Sequence, residues 1–492
     1  MSALPEELYT ASQLHELERR AIESARLTAL ELMQRAGVTA WEQLKLQWPG
    51  AAHVVVFCGG GNNAGDGYAL AALALADKRQ VTLYTLGESM RLPAAAAEMR
   101  GRFLKSGGEE KVFTDNVAEA DVLVDALLGI GLDRPLEGRW LEAVRVMNAS
   151  GKPVLALDIP TGLHADTGAV LGAVVQAAST VSFIGLKAGL FTGTGPECAG
   201  LLRFSDLGMP ASVYAGIEPW ARRMRQSAQR EMLLPRRRRD AHKGDFGHLL
   251  IVGGDLGMGG AVRLAAEAAL RSGAGLVSVA TRDAHAAGLL AGLPEAMTYG
   301  AESPQTLTPL LAKASVVAIG PGLGRGAWGK KLLAKVLASK LPLVMDADAL
   351  NLLAAQPVKH GRWVLTPHPG EAGRLLGSTA LKVQQDRYLA VAKLAAKYKA
   401  VVVLKGAGSL VAEPGGTTSV CTAGNPGMAA AGMGDVLTGV IAAFLAQGME
   451  PGDAARNGVY LHALAGDLAA RQGERGLMAR DLIQALRQVV NF

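Results

Sequence analysis

Residues 422–439 read TAGNPGMAAAGMGDVLTG, a run of glycines and small residues that passes directly into an apolar helical pattern. Gly432 and Gly434 let the backbone turn so that successive N–H groups face an anion, and a helix starting near Asp435 adds the positive end of its dipole. Asp435 sits at that helix start. A carboxylate beside a bound phosphate is unfavourable unless it has a task, and taking a proton from a hydroxyl that attacks phosphorus is such a task. The alternative is an Asp N-cap on a Gly-rich turn, since N-caps favour Asp.

The chain around this stretch is 492 residues long, which suggests about two to four domains, with two as the working expectation. Apolar residues make up 49%, charged residues 19% and aromatics 5%, with 61 glycines, a composition suited to α/β domains with tight strand-to-helix turns. The formal charge is +6, but Arg236, Arg237, Arg238 and Arg239 lie together, so no broad basic face and no nucleic-acid partner is implied. Cys58, Cys198 and Cys421 are odd in number and lack a metal-ligand spacing, so a disulfide framework or zinc site is not expected. The acidic N-terminus has no apolar core, and no stretch supplies the roughly 18 apolar residues of a membrane span. A cytoplasmic setting without a membrane partner is the expectation, with homo-oligomerisation open.

In the first half, residues 10–46 have helical apolar spacing, with Leu14, Leu17 and Ile22, then Leu30, Met33 and Val38. HVVVFC (53–58) is a short buried strand that runs into the loop GGGNNAGDG and a helical YALAALALA, the order of a phosphate-binding strand–turn–helix unit. Asn62, Asn63 and Asp66 in that loop suit a cation or a sugar hydroxyl better than a phosphate alone. Further strands are expected at 81–86, 122–125, 154–157 and 201–204. Asp125, in VLVDALLGIGLDRP, and Asp158, in VLALDIPTGLHADTG, fall at strand carboxyl ends, where ligands of parallel sheets collect; Asn63, Asp125, Asp158 and Thr161 therefore converge on one crevice. Any one such Asp is also a common way to begin a strand-exit turn.

Through GGGNNAGDG, DALLGIGLDRP and DIPTG, residues 1–215 resemble the epimerase family that repairs hydrated nicotinamide dinucleotides, NAD(P)HX. The resemblance implies a Rossmann-like three-layer αβα sandwich. It implies that Asn63, Asp125 and Thr161 hold a potassium ion, and that Asn62, Asn63, Ala64, Gly65 and Asp66, with Gly129, Ile130, Gly131, Leu132, Asp133, Arg134 and Pro135, contact the dinucleotide. Asp158 becomes the carboxylate that moves a proton between the R and S hydrates. Lys187, in SFIGLKAGL, is either its charge partner or a solvated strand-end lysine.

Residues 210–235 lose periodicity and end in PRRRRDAHKGDFGH, so a boundary is expected near 221–234, dividing the chain into 1–220 and 221–492. The arginine run reads as a solvated linker face, and Lys243 as a phosphate contact or a strand cap. From His248 the strand–helix alternation restarts through HLLIVGG, LVSVAT, SVVAIGPG, LVMDADAL, WVLTPHPGE and VVVLKG, and reaches the GMGD helix start. In order, HKGDFGHLLIVGG, AIGPGLG, DADAL, TPHPGE, LKGAGS and GNPGMAAAGMGDVLTG resemble the ribokinase-like ADP- or ATP-dependent (S)-NAD(P)HX dehydratase family over residues 225–492.

That resemblance implies a C-terminal ribokinase-like αβα domain in which a phosphoryl donor converts the hydrate's C6 hydroxyl to a phosphate ester. Asp435 is the expected base, and Gly434 with Lys405, Gly406, Ala407, Gly408 and Ser409 the nucleotide site. The resemblance also implies that Gly322 and His368 contact the hydrated dinucleotide, although a histidine in TPHPGE also suits a structural turn. Asp346 and Asp348 are candidates for magnesium or for its outer shell, and strand alternation would allow only one to point inward. The expectation is a bifunctional repair enzyme using potassium, ADP or ATP, and magnesium, with ADP favoured by resemblance to bacterial fused forms. Two rivals remain: a small-molecule kinase of the hydroxymethylpyrimidine or hydroxyethylthiazole type, and an N-terminal half kept only as a binding scaffold.

Overall fold

The computed structural model describes residues 4–24, 27–86, 92–114, 119–224 and 234–491. The chain divides into two compact units, Met1–Arg222 and Arg223–Phe492. The expected boundary after residue 220 falls just before a strand, Ala221–Met224, whose first residues pair antiparallel with the N-terminal segment: Leu8 with Ala221, and Glu7 with Arg222. Periodicity misses such a partner because a four-residue strand is too short to show a repeat. The remainder of the expected linker, 225–233, lies outside the described residues.

In the first unit, β1 (Glu7–Tyr9) precedes the seven-stranded sheet built from β2 (His53–Cys58), β3 (Gln80–Thr85), β4 (Glu110–Val112), β5 (Val122–Ala126), β6 (Val154–Leu157) and β7 (Ser179–Phe183). β8 (Leu186–Lys187) pairs with β1, and β9 (Leu201–Ser205) completes the sheet. Its order is β4-β3-β2-β5-β6-β7-β9, all parallel. The run HVVVFC is apolar throughout because both of its faces are covered. Val54, Val56 and Cys58 enter one core layer, and Val55 and Phe57 the other.

The helices Ala11–Ser24, Ala29–Gln47 and Asn62–Ala76 contribute to the first of these layers, and Thr28 with Glu31 closes a capping box on the second helix. The expected loop GGGNNAGDG is therefore shorter than its glycines suggest. Gly61 is the N-cap, and Asn62 to Asp66 already belong to the helix. Gly65 is a packing glycine, since a Cβ there would meet Met33 Sδ at 2.2 Å.

In the second unit, after β10 (Ala221–Met224), the strands are β11 (His248–Val252), β12 (Leu276–Thr281), β13 (Met297–Gly300), β14 (Val316–Ile319), β15 (Leu343–Met345), β16 (Trp363–Leu365), β17 (Val401–Leu404), β18 (Leu410–Ala412) and β19 (Thr418–Cys421). They lie in the order β13-β12-β11-β14-β15-β16-β17-β18-β19, parallel as far as β17 and antiparallel through the last two. Sequence reading gave six of these strands and missed β13, β18 and β19. Helix Met433–Ala446 is apolar almost all round and accordingly buried. It lies so close to helix Gly259–Arg271 that a Cβ on Gly439 would sit 2.1 Å from Ala265 O.

Candidate active sites

In the first unit, a cavity of about 380 Å³ opens at the carboxyl ends of the central strands. Its lining includes Asn62, Asn63, Asp66, Gly129, Asp158 and Lys187. Ile130, Gly131 and Leu132 line it as well. Ala64 and Gly65 are buried in the helix behind it, and Asp133, Arg134 and Pro135 are exposed outside its lining.

Asp158 follows β6 with φ of +69°, a left-handed conformation that Asp tolerates better than most side chains. The turn brings its Oδ1 back to accept from Phe183 N at 3.1 Å and from Lys187 Nζ. Lys187 is not the solvated strand-end lysine: it is 1% exposed, and its ammonium also donates to Ser182 Oγ at 3.1 Å and Phe183 O at 2.9 Å. Burial drives its pKa down, while Asp158 and Asp66 pull it back up. Nearby Ile184 has φ of +65°, a strained setting for a β-branched residue, and it too lines the cavity. Asp66 is pushed well up by burial, by Asp158 and by Glu18, against the opposing pull of Lys187. Glu18, from the first helix, is raised by burial and by Asp158, with His15 opposing.

Asp125 and Thr161 meet each other, but neither is among the residues that line the cavity with Asn63 and Asp158. Thr161 N donates to Asp125 Oδ2 and Thr161 Oγ1 to Asp125 Oδ1, both at 2.8 Å, while Leu127 N donates to Oδ1 at 3.2 Å. Thr161 Oγ1 also accepts from Leu128 N at 3.0 Å. Asp125 is fully buried, and burial outweighs these hydrogen bonds, raising its pKa to about 6. Asn63 is 6% exposed, and both its amide oxygen and its amide nitrogen lack a hydrogen-bond partner. A Cβ on Gly129 would stand 3.5 Å from Asn63 Cβ and 3.9 Å from Asp158 Oδ2, so this glycine keeps the space between them open.

In the second unit, Gly432 has φ of +86° and is the N-cap of helix Met433–Ala446, with no side-chain cap. Gly434 is thus helical rather than part of the turn. Asp435 is the third helical residue rather than an N-cap, so the capping alternative does not explain it. Burial first and the Asp346 charge second raise the Asp435 pKa to about 7, with Lys405 opposing. The missing side chain of Gly434 leaves room for Lys405 and Asp346: a Cβ would lie 3.4 Å from Lys405 Nζ and 3.5 Å from Asp346 Oδ2.

Lys405 Nζ donates to Asp346 Oδ1 at 2.5 Å and stands 3.9 Å from Glu371 Oε2, while Asp346 Oδ2 accepts from Thr438 Oγ1 at 2.9 Å. Burial opposes the Lys405 charge, but Asp346, Glu371 and Asp435 overcome it and raise its pKa. Asp346 and Asp348 are not on a strand. β15 ends at Met345, Asp346 is the N-cap of helix Ala347–Ala355 and Asp348 lies in its first turn, so strand alternation does not apply to them. Asp348 Oδ2 accepts from Gly324 N at 2.9 Å.

His368 is the N-cap of helix Pro369–Leu376, where its Nδ1 accepts from Gly370 N at 3.0 Å and its own N–H donates to Glu371 Oε2 at 2.8 Å. The structural role expected of a turn histidine is therefore filled, yet half of its side chain stays exposed. Burial and the Lys405 and Arg374 charges lower its pKa. Gly322 has φ of +56° and its carbonyl accepts from Asp255 N at 2.6 Å, which fixes the GPGLG loop. Ser409 Oγ closes the LKGAGS loop by accepting from Gly406 N at 3.2 Å and donating to Gly406 O at 3.0 Å. Lys243 lies exposed in a short 3₁₀ turn. Sequence reading missed Thr438, Glu371 and Arg387, and underweighted Lys187; each meets at least one partner distant in sequence.

Comparison with known proteins gives matches to two family models: one described as NAD(P)H-hydrate dehydratase over residues 249–488, the other as YjeF-related protein N-terminus over residues 29–189. The bifunctional NAD(P)H-hydrate repair enzyme Nnr of Coxiella burnetii is 46% identical over 486 residues, covering 98% of this chain and 99% of that protein. The Escherichia coli enzyme of the same name is 44% identical over 493 residues, covering 99% and 95%. Among solved structures, a ribokinase-like superfamily protein from Enterococcus faecalis aligns with a TM-score of 0.51 at 33% identity, covering 56% of this chain and 96% of its own.

Proposed function

This chain belongs to the family of bifunctional NAD(P)H-hydrate repair enzymes, and from that we propose that its first unit epimerises the R and S hydrates at Asp158 while its second dehydrates the S hydrate with Asp435 as base. The observation that carries the second assignment is a carboxyl raised to about 7 in the first turn of a helix without a side-chain cap, beside the Lys405–Asp346 pair. A group titrating near neutrality can take a proton from a hydroxyl and keep it through the transfer.

The hydroxyl at C6 of the hydrated ring is a poor leaving group. Asp435 removes its proton as its oxygen attacks the terminal phosphorus of ADP, and the helix amides with Lys405 stabilise the charge on the transferring phosphoryl group. AMP departs. The C6–O bond then breaks, inorganic phosphate leaves, and loss of a proton from the adjacent ring carbon restores the dihydronicotinamide. Gly406 to Ser409 receive the nucleotide, and Gly322 and His368 the hydrate. Magnesium would arrive with the nucleotide phosphates, because Asp346 and Asp348 are engaged by Lys405, Thr438 and Gly324.

In the first unit, C6 inverts when its hydroxyl takes a proton and leaves as water, and water then re-adds to the other face of the iminium carbon and returns the proton. Asp158, whose Oδ1 accepts from Lys187 Nζ and Phe183 N, is placed to give and take that proton. Asn63, Asp125 and Thr161 fit a potassium ion: Asn63 brings an unpartnered buried amide oxygen, and a cation beside Asp125 would relieve the burial that lifts its pKa. The ion's contribution would be a fixed positive charge close to the dinucleotide.

The test is incubation of the protein with resolved R and S hydrates, with and without ADP or ATP. NADH should return from the S form only with nucleotide, and from the R form through the S. A stable phosphate ester without near-ultraviolet absorbance would instead establish a kinase.

A further inference from the structure

Arg387 starts the helix Arg387–Tyr398 and is 1% exposed, beneath the loop that follows β17. Its Nη2 lies 3.3 Å from the carbonyl oxygens of both Leu404 and Lys405 and 3.4 Å from that of Gly408. Nη1 donates to Gln384 Oε1 at 2.6 Å. Gly406, with φ of +137°, passes so near the fork that a Cβ there would meet Nη1 at 3.1 Å and Nη2 at 3.2 Å. The backbone from 404 to 408 is therefore wrapped around a guanidinium, which draws carbonyls inward from both limbs of the loop. Each inward carbonyl fixes a peptide plane, and with it the direction in which the Lys405 side chain leaves the loop.

Burying a charge is costly unless its hydrogen bonds are made, so the guanidinium and the folded loop depend on each other. Burial lowers the Arg387 pKa to about 10, which leaves it charged at neutral pH. A full positive charge in a low-dielectric setting beneath the loop also favours an anion bound above it.

We propose that Arg387 is a positioning residue of the dehydratase, shaping the Lys405–Ser409 loop to receive a nucleoside polyphosphate. This rests on the reading that the loop is the nucleotide site. The test measures KM for ADP, KM for the S hydrate, kcat and epimerase rate on the full chain for R387Q, R387A and Lys405→Met. Loss of charge-assisted hydrogen bonds should raise KM for ADP by roughly 10- to 100-fold in R387Q and R387A. KM for the S hydrate and the epimerase rate should not move, and millimolar guanidinium should restore ADP affinity to R387A.

A merely structural Arg387 would lower kcat by reducing the folded fraction and leave KM for ADP unchanged; that outcome overturns the proposal. If R387A does not fold, R387Q carries the same test. Lys405→Met separates the two levels. If it raises KM for ADP while R387Q does not, the loop is the nucleotide site and Arg387 does not position it. If Lys405→Met also leaves KM for ADP unchanged, the nucleotide assignment itself fails, and the proposal with it.

Discussion

Asp435→Asn tests the proposed chemistry and its physical basis together. The substitution keeps size and a polar head, and it costs no cap because the N-cap is Gly432. What it removes is a proton acceptor whose pKa of about 7 is set by burial and by Asp346. General bases are worth about 100- to 10,000-fold, so dehydration of the S hydrate should fall by at least about 100-fold, with the epimerase rate of the same sample unchanged. In the wild type, the rate should climb as pH rises through about 7 and Asp435 ionises, and this limb should vanish in the variant.

Stability should move in the opposite sense. Between the ordinary 3.8 and the folded value of about 7, the folded state binds a proton that the unfolded state has lost, so wild-type stability falls as pH rises through that window. The difference of roughly three units at 1.36 kcal/mol each sets an upper bound of about 4 kcal/mol above pH 7. Asp435→Asn carries no such penalty, so the second unit of the variant should melt higher than wild type at pH 8 and match it near pH 3.5. Near-normal turnover of the S hydrate, monitored by dihydronicotinamide absorbance, would refute the base assignment. A variant less stable than wild type at pH 8 would refute the account of its pKa.

Lys187→Met should abolish most epimerase activity while dehydration of the S hydrate persists. Because a buried charge loses its partner, the first unit should be destabilised by about 3–5 kcal/mol in denaturant titration; an unaltered midpoint would contradict the buried pair. Asn63→Leu removes an unpartnered buried amide. The wild type should show a potassium-dependent rise in the melting temperature of its first unit, and the variant should show none; an undiminished rise would place the ion elsewhere. Expressed separately, residues 1–224, which keep the strand paired to Glu7 and Leu8, should epimerise without nucleotide, and residues 225–492 should dehydrate only the S hydrate and only with nucleotide. If the C-terminal fragment consumes R hydrate as fast as the intact chain, the division of labour is wrong.

The local signals of this chain were legible without its fold. HVVVFC, HLLIV and LVSVAT read as buried strands because a parallel strand covered on both faces must be apolar at every position. The Gly-rich turns and the strand-end carboxylates Asp125 and Asp158 were legible for a similar reason, since they mark where a strand stops and a ligand can approach. Where helices begin was not settled by composition: NNAGD and MGD carry the marks of a loop, yet both lie within helices because the residue before each run serves as N-cap.

Most pairings across the sheets were out of reach of the sequence, which left Lys187 open between a partner of Asp158 and a solvated lysine. Asp158 and Lys187 are 29 residues apart, and Asp346 and Lys405 are 59 apart. Nothing along the chain distinguishes a lysine that snorkels into water from one whose ammonium is boxed in by a serine, a carbonyl and a carboxylate. Arg387 is the extreme case, because besides Gln384 it meets three backbone carbonyls, which every residue possesses and no side-chain pattern can encode. Periodicity determines which face of an element is buried. Which polar groups then meet inside is decided only when distant strand ends are brought within a few ångströms, where low dielectric makes a missing partner costly and so fixes the pairs that form.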